Sequence, residues 1–219
     1  MNDTLRLRYS KTGKAKYMSH LELMSTMQRA LIRAGIKLRY SQGFNPHPYI
    51  SVALPLPIGC GSVSELMDFG TVDGLQPDGI IELMSNALPE GLCVIDAYVP
   101  ERKFSEIAWI DMSIEMLYDS EVPSDALVRL TERFNAQSII VEKKTKSGIS
   151  KIDIAPHIKD VEFRFDAEMT MSVKVSAQNP TINALNLMSA IGEEHGISGP
   201  DCVFPTRLEM FDRDMGVFR

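Results

Sequence analysis

The 219-residue sequence predicts an α+β fold of two tandem ferredoxin-like halves, each running β-α-β-β-α-β over an antiparallel sheet. Three observations predict it. A period-two alternation opens the chain, a capped segment of period 3.6 follows at once, and the same order of elements recurs after residue 103. The expected domains are therefore 1–103 and 104–219. Element order alone carries the duplication, because the halves share no sequence self-similarity.

Thr4 to Lys11 alternates Leu5, Leu7 and Tyr9 with Arg6 and Arg8, which predicts a strand with one wet, basic face. Lys14 to Met18 continues it as a short hairpin arm after Gly13. Ser19-His20-Leu21-Glu22 is a capping box, with the Ser hydroxyl taking the N3 amide and Glu22 reaching back to the Ser19 amide. The helix it starts runs to about Ala34, and Gly35 supplies the left-handed residue that ends it. Leu23, Met24, Met27, Ala30, Leu31 and Ala34 share the apolar side; Glu22, Ser25, Thr26, Arg29 and Arg33 share the wet one. A strand over Ile36 to Ser41 leads into the segment Gly43-Phe44-Asn45-Pro46-His47-Pro48. Extended runs Tyr49 to Leu54 and Ser64 to Thr71 follow on either side of Pro55-Leu56-Pro57-Ile58-Gly59-Cys60-Gly61. A helix over Pro77 to Leu88, stopped by Pro89 and Gly91, and a strand over Leu92 to Val99 complete the first half.

Pro100 to Ser105 reads as a linker. In the second half the extended segments are Ile107 to Tyr118, Ser138 to Lys144, Lys151 to Ile158, Val161 to Phe165, Met169 to Ser176 and Arg207 to Asp212. Lys146-Ser147-Gly148 is a turn. One helix starts at Pro123-Ser124-Asp125 and carries Leu127, Leu130 and Phe134 on one face. A second opens at Asn179-Pro180, runs to about Glu194 and ends at Gly196.

Charge is uneven along the chain. Residues 1–64 hold nine Lys/Arg against two acids, a net of +7, while the remainder holds 14 against 27, a net of −13. A basic segment on an acidic body can focus a positive field on an anionic partner such as RNA. Hydrophobic residues at 44% and charged residues at 24% are ordinary for a folded protein, and no run of 18 apolar residues offers a membrane span. The polar, alternating first residues predict neither a signal peptide nor a transit peptide. Cys60, Cys93 and Cys202 are far apart and form no C-x-x-C pair, which excludes a zinc ribbon and a disulfide framework. The expectation is a cytoplasmic protein with reduced thiols, no membrane contact and no metal site.

The stiffest segment is the most informative. Pro46 and Pro48 fix their own φ and hold Asn45 and His47 extended, and Gly43 permits positive φ. The loop then presents a ring, an amide and an imidazole, the groups that stack on a base, read its edge and meet a phosphate. Gly43, Phe44, Asn45 and His47 are candidate ligand-binding residues, with Arg29 and Arg33 as a phosphate clamp completed by Arg6 and Arg8 from the adjacent strand. His20, on the apolar side of the first helical turn, and His47 are the candidate catalytic residues, since an imidazole can act as a general base. Gly59-Cys60-Gly61-Ser62 lacks the Lys-Ser/Thr of a phosphate-binding loop.

Ser19 to Met24, Gln28 to Gly35, Tyr40 to Pro48 and Pro55 to Gly59, followed by Ser62, Glu65 and Asp68, together closely resemble a bacterial family. These are the radical-SAM-linked proteins of unknown function, encoded beside a radical SAM protein or fused to its C-terminus. The match covers roughly residues 5–70 in detail. Glu22 stands where the family usually carries Asp, and Ser25 where a basic residue is common. The resemblance implies a radical SAM partner and, from the family's gene neighbourhoods, leans towards RNA. This chain has no C-x-x-x-C-x-x-C motif, so radical chemistry would reside in the partner and no cofactor is expected here. The first expectation is a non-catalytic recognition module for RNA rather than DNA. The alternatives are a metal-independent RNA-processing or RNA-modifying enzyme using His20 and His47, and a protein-only adaptor.

Overall fold

The structure, a computed structural model, describes residues 4–72, 74–145, 148–191 and 198–219. It is α+β, mostly antiparallel sheet with few helices. The chain divides into two compact units, Met1–Glu106 with Phe218–Arg219, and Ile107–Val217.

The first unit contains β1 (Thr4–Lys11), α1 (His20–Arg33), β2 (Ile50–Val52), β3 (Gly61–Gly70), α2 (Ile80–Ser85) and β4 (Leu92–Tyr98). Its strands lie in the order β4-β1-β3-β2, every neighbour antiparallel. The alternation of β1 decides which side is core: Leu5, Leu7 and Tyr9 join Met67 and Phe69 of β3 and Leu92 and Val94 of β4 in one buried cluster. Leu23, Met27, Ala30 and Leu31 of α1 and Ile80 and Met84 of α2 close over that face. Burying Leu23, Met27 and Leu31 contributes about 2 kcal/mol each relative to exposure. The helix starts where the capping box places it, with Glu22 N donating to Ser19 Oγ at 3.3 Å and Ser19 N to Glu22 Oε2 at 2.8 Å. It ends before Gly35, whose φ of +77° only glycine adopts without strain.

Several expectations for this unit are corrected. Gly13–Tyr17 is a turn of 3-10 helix, not a hairpin arm, because Ala15 packs into the core and Met18 N bonds back to Ala15 O. Ile36 to Ser41 forms no strand. Ile36 and Leu38 are buried, but the segment makes only the isolated bridges Leu38↔Thr71 and Tyr40↔Pro48. α2 spans six residues instead of twelve, since Gly79 at φ +81° breaks the chain direction just before it. The expected linker is folded: Phe104–Glu106 is a 3-10 turn that Arg102 Nε braces on Glu106 Oε2 at 3.2 Å.

The second unit contains β5 (Trp109–Leu117), α3 (Ala126–Phe134), β6 (Ile140–Thr145), β7 (Gly148–Asp153), β8 (Ile158–Phe165), β9 (Met169–Ser176), α4 (Ala184–Met188) and β10 (Cys202–Phe211). Its strands run β10-β5-β9-β8, again antiparallel, and β6 pairs β7 as a separate ribbon. Ala126, Leu130 and Phe134 are the buried side of α3, and the Phe134 ring meets Phe163 of β8 at 5.4 Å. α4 starts at an Asn183/Asn186 capping box rather than at Asn179, because Ile182 N still bonds Ser176 O. It stops at Met188, with Ser189 as its C-cap, instead of running on; Glu194 and Gly196 of its expected end, and Lys146 and Ser147 of the expected turn, lie outside the described residues. Among the described residues no helix is long and apolar enough to cross a membrane.

Candidate functional site

The loop after α1 is closed at its base between Tyr40-Ser41 and His47-Pro48. Ser41 N donates to His47 O at 2.8 Å, His47 N donates to Ser41 Oγ at 2.9 Å, and Tyr40 bridges Pro48. Gly43 sits at φ +128°, outside the reach of a side-chain-bearing residue, and turns the tip. The tip points its side chains outward: Asn45 and His47 are exposed, and Phe44 is 112% exposed relative to an extended reference. A phenylalanine left wholly in water has no packing role, so its stability contribution is close to nil.

Beside the loop lies a cleft of about 330 Å³ lined by Thr4, Arg39, Pro48, Tyr49, Ser51, Asp68 and Gly70. Tyr49 N donates to Arg39 O and Gly70 N to Tyr49 O, so the loop's return strand and the end of β3 build its walls. The Arg39 guanidinium stacks on the Tyr49 ring at 4.5 Å. Residues 23–64 contain no Asp or Glu, so the loop lies in a stretch whose formal charges are all positive, while the cleft adds Asp68 from β3. Sequence reading missed Arg39, Tyr49 and Gly70 as site residues. Gly70 was the available signal, because an isolated glycine in a strand marks a close approach.

The structure separates residues that the sequence suggested together. Lys11 Nζ donates to Met18 O at 2.8 Å and Lys16 O at 3.3 Å, so α1 begins beside the last residue of β1. The loop instead lies at the other end, where Thr4 of β1 faces Gly70. Fourteen helical residues between them span about 20 Å. His20 and His47 therefore do not share a site. His20 is also exposed rather than on the apolar side, because a side chain at the first helical position leans back over the turn before it and beyond the first core contact, Leu23.

The four-arginine clamp does not form either. Arg6 is 1% exposed and donates from Nε and Nη2 to the two Asp68 oxygens at 2.7 and 2.9 Å, and again to Arg102 O at 2.9 Å. The Phe104 ring covers it at 4.2 Å. What read as a wet basic face is a buried ion pair on the side of the sheet away from α1. Arg8 donates to Ser64 Oγ at 3.2 Å on that same side. Arg29 and Arg33 are both exposed on α1, where Arg33 Nη2 donates to Ala87 O at 2.6 Å.

At the His20 end, burial pushes the Lys11 ammonium below its usual range, against the opposing pull of the Glu65 carboxylate. Gly59 N also bonds Lys16 O at 2.9 Å, so the Pro55–Gly61 turn and the start of α1 are tied through this lysine. With its donors committed to backbone carbonyls, Lys11 is a structural tether. Among the described residues no group of three His, Cys, Asp or Glu side chains could hold a metal ion.

A family model described as an uncharacterized protein conserved in bacteria (DUF2344) matches residues 4–184, and no curated protein matches. Among solved structures, a chain of the "Crystal Structure of a Cbf5-Nop10-Gar1 Complex" is similar over 95% of this chain, with a TM-score of 0.53 and 13% identity. At that identity the likeness is one of fold. This chain spans about half of that chain's length, 49%. The chain belongs to the bacterial family DUF2344.

Proposed function

We propose that this protein is a non-catalytic recognition module that holds single-stranded RNA through the Gly43–Pro48 loop and presents it to a separate radical SAM enzyme. One observation carries the reading: the fully exposed Phe44 ring on a loop made stiff by Pro46, Pro48 and the Ser41–His47 closure. An exposed aromatic on a rigid mount loses little entropy when a base stacks on it. Exposed Tyr40, Tyr49 and His47 extend the stacking surface, and the acid-free segment supplies the positive field. The radical SAM partner rests on the family resemblance of the motifs in residues 17–68. A cytoplasmic location follows from the same reading, since RNA and reduced thiols are found there.

We further infer that both units are ferredoxin-like. The support is the order β4-β1-β3-β2 in the first unit and β10-β5-β9-β8 in the second. An enzyme that pairs His20 with His47 loses its geometric basis, as they stand at opposite ends of α1.

The test is fluorescence anisotropy of a labelled mixed-sequence single-stranded RNA at 50 and 200 mM salt, with a DNA duplex of equal length as comparison. Salt-dependent binding of the single strand and weaker binding of the duplex are expected. Equal affinity for both, or none for either, would overturn the proposal.

A further inference from the structure

We infer that the cleft beside the loop is a phosphate subsite in which Arg39 holds a phosphodiester of the same RNA strand; this rests on the recognition reading above and specifies where the backbone lies. Arg39 is built into position rather than left on the surface. Its guanidinium lies on the Tyr49 ring at 4.5 Å, and its Nε is buried with no hydrogen-bond partner among the described residues. A buried donor without an acceptor is costly, so the guanidinium is held in place at a cost to stability, which points to a role other than packing for its outer nitrogens. Gly70 makes the arrangement possible. A Cβ there would stand 2.9 Å from Arg39 Nε and 3.2 Å from Nη2, so the bare backbone of β3 is what lets the guanidinium lie flat.

The remaining chemistry of the cleft suits an anion. Thr4 and Ser51 supply hydroxyl donors. The Asp68 carboxylate also lines it, but Arg6 engages both its oxygens at 2.7 and 2.9 Å and neutralises it. A volume of about 330 Å³ is at the small end of ligand pockets, the size of one nucleotide unit rather than a folded partner. Pro48 belongs to both the loop and the cleft wall, so a base on Phe44 and a phosphate on Arg39 can come from one strand. The planar fork of an arginine matches phosphate oxygens in a way a lysine does not.

The experiment measures the same RNA by anisotropy from 50 to 200 mM salt for wild type, Arg39→Gln and Gly70→Ala, with Arg213→Gln as a charge control in the other unit. Gly70→Ala keeps every charge and displaces the guanidinium together with the Tyr49 side chain it lies on, whose Cβ would stand 3.2 Å from the new methyl. Melting curves confirm that each variant is folded. Both cleft variants are expected to weaken binding about tenfold. Arg39→Gln should also flatten the slope of log K against log salt by about 0.7, the value for one phosphate on a single strand. If both bind like wild type with an unchanged slope, the subsite is wrong and the loop reading stands. If the wild type itself binds no RNA, both fall.

Discussion

Asp68→Ala separates a structural Arg6 from a ligand-binding one. The guanidinium is 1% exposed and its charge is met by Asp68 at 2.7 and 2.9 Å. Removing one partner of a buried pair leaves the other charge uncompensated, a loss of about 3–5 kcal/mol. Asp68 is 21% exposed, so water can reach part of the gap and the low end, about 3 kcal/mol, applies. In a chain of this length 1 kcal/mol moves Tm by about 2–4 °C, which predicts a fall of about 6–12 °C. The double variant Arg6→Met/Asp68→Leu replaces both charges by apolar side chains, with the larger Leu at the partly open position, and should recover most of the loss. Differential scanning fluorimetry reads all three proteins. A Tm within 2 °C of wild type for Asp68→Ala, by our choice of threshold, would refute the buried-pair account. So would an Arg6→Met variant that melts like wild type yet loses RNA affinity.

Three further predictions concern the other end of the unit. Ser19→Ala removes the capping hydroxyl of α1 and should lower stability by about 1 kcal/mol in urea titrations. The Ser19 amide and hydroxyl hold the Glu22 carboxyl below its usual value, so its contribution is full above the ordinary glutamate range and lost as pH falls through the lowered value. The gap in stability between wild type and Glu22→Gln should therefore close on acidification below about pH 4. Lys11 has the same sense, displaced to alkaline pH. Burial lowers it, so the unfolded chain binds more protons in the window between the lowered value and 10.5, and stability rises with pH there. Denaturant unfolding of Lys11→Met across alkaline pH should lack that rise.

Local chemistry was legible and distant partners were not. β1 and α1 emerged at nearly their observed bounds because alternation, a capping box and a terminal glycine are all short-range signals. Ile36 to Ser41 alternates for a different reason. Ile36 and Leu38 are buried, but periodicity reports burial and not a ladder, and here the segment meets its neighbours by bridges alone. Arg6 was read as wet because its acid lies 62 residues away, beyond any local pattern. β10 extends five residues further back than Arg207, through Pro205 opposite Ile114, where a proline argues against a strand. The stiff loop was legible from its prolines; the cleft beside it was not, because Arg39, Ser51 and Gly70 meet only through the fold.

The most direct measurement is the RNA affinity of Phe44→Ala against wild type by fluorescence anisotropy, with melting temperatures taken on the same samples. Phe44 touches no core, so its Tm should match wild type. Loss of one base–aromatic stack, worth about 1–3 kcal/mol, should weaken RNA binding about fivefold or more. An unchanged affinity with an unchanged Tm would contradict the claim that this loop recognises RNA.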